Sequence, residues 1–183
     1  MGKKIIDSKL IRLGSDPKLH HGSLSDPIYK TSTIIFEDYK SFLEAKKDKF
    51  NLPYYGRFGN YSTKRFERVV SQIYESEASI ITSSGLSAIT ISLLTHLGNG
   101  DELLVSENCY EPVYNFCSNE LKKFGIKTQF FKNNNPSILK KLISKKTKVI
   151  YLESPGSLNY AVEDIEEVVK IAKEKEIVTI IDN

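Results

Sequence analysis

An open α/β sheet, mostly parallel and covered by helices on both faces, is the architecture that the sequence predicts. Two observations carry it. From about residue 78 onward, short apolar runs alternate with helical patterns, and the runs are rich in β-branched residues and too short for helices. Strands separated by helical segments describe βαβ units.

Five strand candidates appear in order: "ASIIT" (Ala78–Thr82), "ELLVS" (Glu102–Ser106), "KTQFF" (Lys127–Phe131), "KVIYLE" (Lys148–Glu153) and "EIVTII" (Glu176–Ile181). Between them, Leu86–Leu97 places apolar residues at helical spacing. Pro112 suits the first turn of the helix in "PVYNFCSNELKKFG". Further helices are predicted over Pro136–Ser144 and Asp164–Lys175.

The first 77 residues have a different character. "PIYKTSTIIF" (Pro27–Phe36) reads as extended, and Asp38 caps a short helix through Lys47. "NLPYYGRFGNYS" reads as a loop. A helix follows with Ser62 as its expected N-cap and Phe66, Val69, Val70 and Ile73 on one face. The predicted division is an arm and loop region over residues 1–61, then the α/β region over 62–183.

Composition narrows the function. Lys and Arg total 26 against 23 Asp and Glu, so the net charge of +3 does not argue for nucleic acid. The Lys-dense run Leu139–Lys148 has no aromatics interleaved for base stacking and reads as a solvated helix face. Cys109 and Cys117 match no zinc or redox spacing, and His20, His21 and His96 form no metal-ligand pattern. The N-terminus has no signal-peptide apolar core and no stretch approaches a membrane span, so a reduced, cytoplasmic setting is expected.

In open α/β sheets ligands bind beyond the carboxyl ends of the strands, and four features fall there. "TSSGLSA" is a small-residue turn in which Gly85 lets backbone N–H groups at a helix start approach an anion. It lacks the spacing of a dinucleotide fingerprint or a P-loop. "SENCYEP" presents Tyr110, either an aromatic face for a ligand or a loop tyrosine capping the core. "LESPGS" points Glu153 and Ser157 at the same edge, and Asp182 ends the last strand. A carboxylate at the tip of a buried strand is costly unless it has a partner.

"YYGRFGN", "SSGLSA", "ENCYEP", "LESPGS" and "TIIDN", in this order, resemble the Cys/Met-metabolism family of pyridoxal-phosphate (PLP) enzymes. The resemblance starts at "DPIYKTSTIIF" and covers essentially the whole chain. It implies the aspartate-aminotransferase-like large domain, here incomplete, for residues 62–183, and an arm carrying an inter-subunit loop for 1–61. It implies that Gly85 and Leu86 offer N–H groups to the cofactor phosphate and that Tyr110 stacks on the pyridine ring. Asp182 then pairs with the ring nitrogen. Tyr55, Gly56 and Arg57 match residues that reach the cofactor of a neighbouring subunit, so a dimer or tetramer is expected. Tyr110 and Tyr55 are the expected catalytic side chains.

Within the family, "CYEPVYNFCS" and "ESPGS" look like bacterial cystathionine β-lyases, which cleave cystathionine to homocysteine, pyruvate and ammonia. The γ-synthase and γ-lyase branches are the alternative, and a non-catalytic binding module with this fold is a further one. The resemblance also implies a cofactor-bearing lysine beyond the strand-tip aspartate, a position that none of the lysines present matches. The expectation is an N-terminal fragment without turnover. It also implies that Ala78–Thr82 pairs with neither Glu102–Val105 nor Ile177–Ile181.

Overall fold

The structure is a computed structural model and describes residues 13–132 and 136–183. The described residues up to Ile81 pack as one compact unit, and Thr82–Asn183 as another.

The first unit is built on two helices. Helix α1 (Tyr39–Lys47) starts at Asp38, whose carboxylate accepts from the Ser41 N–H at 2.7 Å. Helix α2 (Tyr61–Tyr74) starts two residues earlier than predicted. Asn60, not Ser62, is its N-cap: the Asn60 side chain accepts from the N–H groups of Ser62 and Thr63, and Thr63 Oγ1 accepts from the Asn60 N–H. Asparagine reaches two donors at once, which frees the Ser62 hydroxyl to accept from Tyr29 N–H at 2.9 Å. Phe66 and Ile73, placed by the sequence on one face of α2, are exposed. Residues 27–36 form no strand beyond an isolated antiparallel bridge from Thr33 to Tyr55, which ties them to the loop.

The second unit opens with helix α3 (Gly85–His96) and continues with strand β1 (Glu102–Ser106). Next come helix α4 (Glu111–Asn115), a π-helical turn over Phe116–Glu120 and the short helix α5 (Leu121–Lys123). Strand β2 (Lys127–Phe131), helix α6 (Leu139–Leu142), strand β3 (Thr147–Glu153), helix α7 (Ile165–Lys173) and strand β4 (Val178–Asp182) complete it. The sheet has four parallel strands in the order β2-β1-β3-β4.

Residues 78–82 are therefore not the predicted fifth strand. They take no regular secondary structure and lie outside the sheet, with Ile80 85% exposed. An apolar β-branched run becomes a strand only when a neighbour completes its ladder.

Alternation sorts the strand side chains onto two faces. Leu103, Val105, Val149 and Tyr151 pack with Ile89 and Leu93 of α3 and Val113 and Cys117 of the α4 region. Leu104, Ile150 and Leu152 pack on the other face with Leu139 of α6 and Val168, Ile171 and Ala172 of α7. Both faces are covered, which is why "ELLVS" is buried along its whole length. The chain runs from β1 to β2 on one side and then crosses to β3 on the other. The strand order thus reverses between β1 and β3, the place at which open α/β sheets bind ligands.

Candidate cofactor site at the carboxyl edge of the sheet

Helix α3 supplies an anion-binding start. Ser84 is its extended N-cap, and the Ser84 hydroxyl accepts from the Ser87 N–H at 3.1 Å. The N–H groups of Gly85 and Leu86 fall in the first turn, where no intrahelical acceptor exists, and the helix dipole makes that end positive. A Cβ placed on Gly85 would meet nothing within 4 Å, so the chain leaves the helix start uncovered at that position. Leu86 packs on the core below and fixes the turn.

Tyr110 follows the end of β1. Its N–H donates to Glu153 Oε2 at 2.6 Å, and its carbonyl accepts from the N–H groups of Val113 and Tyr114 at 2.9 and 3.0 Å. Pro112 sits in the first turn of α4, as predicted. The tyrosine backbone is thus held at both ends while its side chain remains 48% exposed. A ring anchored in this way is available to stack.

Asp182 closes β4 in register with Glu153, so the two carboxylates share a face, and Tyr151 lies two residues back along it. Among the described residues the Asp182 carboxylate takes no hydrogen bond and no ion pair. Its charge is nevertheless felt: burial first, then Asp182 and Glu153, push the Tyr151 phenol well above the usual range. The Tyr151 hydroxyl itself is buried without a partner. A strand-tip carboxylate left unpaired beside these groups suits a cationic N–H from outside the chain.

Tyr55, Gly56 and Arg57 lie in the first unit. Gly56 N–H donates to Ser32 carbonyl at 2.7 Å, and a Cβ at Gly56 would come within 2.6 Å of Ser32 Cα. Only glycine permits that approach, and it sets the Gly56–Phe58 turn that presents both neighbours. The Arg57 guanidinium lies 6.0 Å from the Tyr55 ring centroid, and both side chains are exposed at a cleft shared with Phe42 and Phe58.

Burial, helped by the charge of Glu153, pushes the Cys109 thiol up to about 11; burial and Cys109 push Cys117 to about 12. Among the described residues no group of three His, Cys, Asp or Glu could hold a metal.

Of the predicted site residues, the second unit brings Gly85, Leu86, Tyr110 and Asp182 to one end of one sheet face. Sequence reasoning missed the grip of Glu153 on Tyr110, and it passed over Ser106, Asn108 and Glu163 entirely. Buried polar partners carry no periodic signal, because each is defined by a contact between distant segments; Glu163 and Ser106 are 57 residues apart.

Comparison with known proteins supplies the family. The family described as "Cys/Met metabolism PLP-dependent enzyme" matches residues 7–183. A Saccharomyces cerevisiae protein assigned as a cystathionine β-lyase is 34% identical over 97% of the chain and 51% of its own length. The L-alanine/L-glutamate racemase of Wolbachia pipientis wMel is 32% identical over 97% of the chain and 46% of its own length. The chain thus spans about half the length of these relatives. A Campylobacter jejuni protein assigned as an O-acetylhomoserine (thiol)-lyase, whose structure carries N'-pyridoxyl-lysine-5'-monophosphate, superposes with a TM-score of 0.87. It is 27% identical, covering 97% of this chain and 44% of its own. The open N–H donors of α3, the anchored ring of Tyr110 and the unpaired carboxylate of Asp182 fit a phosphate, a π-ring and a protonated ring nitrogen. The chain belongs to the family of Cys/Met-metabolism PLP-dependent enzymes, and its cofactor is pyridoxal phosphate.

Proposed function

We propose that this chain is the PLP-holding part of a cytoplasmic carbon–sulfur β-lyase that cleaves cystathionine to homocysteine, pyruvate and ammonia. The observation that carries the cofactor placement is the shared position of the α3 start, Tyr110 and Asp182 at the carboxyl edge of the sheet. The choice of a β-lyase is supported by "CYEP" and "ESPGS" and by relatives of that name, among them an Escherichia coli K12 cystathionine β-lyase 27% identical over 92% of the chain.

PLP supplies an electron-accepting pyridine ring when bound. The residues present then have separate tasks. Gly85 and Leu86 N–H groups hold the phosphate, where helix dipole and donors act together. Asp182 keeps a proton on the ring nitrogen, which its negative charge favours. Tyr110 stacks on the ring and excludes water from one side. Tyr55 and Arg57 reach the phosphate of a neighbouring subunit in a dimer or tetramer, where the planar Arg57 fork binds phosphate in bidentate fashion.

No lysine amine of the second unit's described residues stands among these groups. Lys132, just past β2, is the one at this end of the strands, and β2 lies three strand spacings from β4, roughly 14 Å. Among the described residues of the second unit no amine is placed to hold PLP covalently or to act as a positioned proton carrier, which contributes on the order of a hundred- to ten-thousand-fold in such reactions. With PLP and borohydride the chain is expected to fix no pyridoxyl-lysine. Pyruvate from cystathionine should stay at the level of a PLP-only control, and a unique adduct with excess pyruvate would refute this.

The reaction class is tested by co-expression with the complementary remainder of the E. coli relative. Pyruvate with homocysteine from cystathionine is the expected result. 2-Oxobutyrate from methionine would favour a γ-lyase, the activity of a Fusobacterium nucleatum relative 33% identical over 94% of the chain. D-alanine from L-alanine would favour a racemase.

A further inference from the structure

Glu163 is a carboxylate that makes no direct approach to the cofactor edge, yet it is only 5% exposed. It lies between β3 and α7, one residue before the N-cap Asp164. Its Oε1 accepts from the hydroxyl of Ser106, the fully buried last residue of β1, and from Asn108 Nδ2 at 3.3 Å. Its own N–H donates to Ser154 Oγ at 3.0 Å.

Asn108 is gripped from the same loop on its other side. Its Oδ1 accepts from Asn159 Nδ2 at 2.6 Å, and its carbonyl accepts from the Ser157 N–H at 3.2 Å. Gly156 packs so closely that a Cβ there would lie 2.7 Å from Asn108 Cβ. These bonds staple Ser106 and Asn108 to residues 154–163. Tyr110 is two residues beyond Asn108, with its N–H on Glu153.

We propose that Glu163 is a positioning residue for the cofactor: by holding Ser106 and Asn108 it fixes the loop that aims Tyr110 at the ring. The proposal rests on the reading of this edge as the PLP site. An acceptor oxygen, not a charge, does the holding. Among the described residues no cation pairs with Glu163, and burial lifts its carboxyl above the usual range despite the bonds from Ser106 and Asn108. Glutamine offers the same Oε1 acceptor, whereas alanine leaves the buried Ser106 hydroxyl without its partner.

The test uses the 183-residue chain and two readouts: hydrogen exchange of amides 107–113, and the circular dichroism that PLP acquires on binding. Glu163→Ala is expected to speed that exchange roughly tenfold or more. It should also weaken PLP roughly five- to thirty-fold with an altered dichroic band. Glu163→Gln should match the unsubstituted chain in both. Asn108→Ala cuts the other half of the staple with Glu163 intact, should reproduce the Glu163→Ala effects, and decides the matter if Glu163→Ala does not fold. Unchanged exchange and dichroism in the alanine variants would overturn the proposal, and so would Glu163→Gln behaving like Glu163→Ala. A chain on which PLP acquires no dichroism would sink the cofactor reading instead, while exchange at 107–113 would still decide what Glu163 holds.

Discussion

Two acidic residues at opposite ends of the strands illustrate how partners set the role of a carboxylate. Asp182 has none within the described residues, so its removal should cost the fold little and the cofactor much. Asp182→Ala is expected to keep the urea midpoint while weakening PLP on the order of ten- to a hundred-fold, the worth of a hydrogen bond to a charged group; a fluorescence titration checks it. Glu102 is the reverse. It is buried and accepts from Lys127, Gln129, Ser144 and Thr147. Burial alone would raise its carboxyl, but the bonds from Lys127, Ser144 and Gln129 outweigh that and hold it at about 2, against an ordinary 4.5. A depressed carboxyl stabilises the fold above its ordinary value and loses that contribution as pH falls towards the folded value. Glu102→Gln should therefore lower stability by about 1–3 kcal/mol at neutral pH. The gap between variant and parent should close between pH 4.5 and about 2. Urea midpoints across that range are the measurement, and a gap that persists at the acid end would contradict it.

Helix α3 shows how a single element separates stability from binding. Its start has a capping serine, two N–H groups without acceptors and open space at Gly85. An acidic residue in a first turn is favourable to the helix by about 0.3–1 kcal/mol. Gly85→Asp should accordingly leave the melting temperature unchanged or slightly higher while repelling the PLP phosphate, with affinity falling tenfold or more. Loss of both fold and binding would mean that Gly85 is needed for packing. Residues 78–82, just before this helix, teach the complementary lesson. Ile80 and Ile81 supply strand propensity, but propensity without a ladder partner leaves a segment outside the sheet with exposed isoleucines.

For the whole molecule, the proposed reach of Tyr55 and Arg57 to a neighbour's cofactor would require two chains at each site. Arg57→Ala and Asp182→Ala chains mixed in equal amounts form some dimers with one intact site. The mixture should then bind more PLP than the average of the two variants measured separately. Binding equal to that average would argue that each site is built from one chain.

Sequence by itself determined the α/β class, the four strands of the sheet, the Asp38 cap and the positions of Gly85, Tyr110 and Asp182 at turns or strand ends. These are local matters, since hydrophobic period, capping and turn chemistry are written within a few residues. Tertiary structure alone decided the order β2-β1-β3-β4, the register that sets Asp182 beside Glu153, and the exclusion of residues 78–82 from the sheet. It also decided that Glu153 holds Tyr110 and that Glu163 is buried against Ser106. Each of these depends on which distant segments come to share a ladder or a buried pocket, and a polar side chain acquires its role only from the partner that desolvates with it.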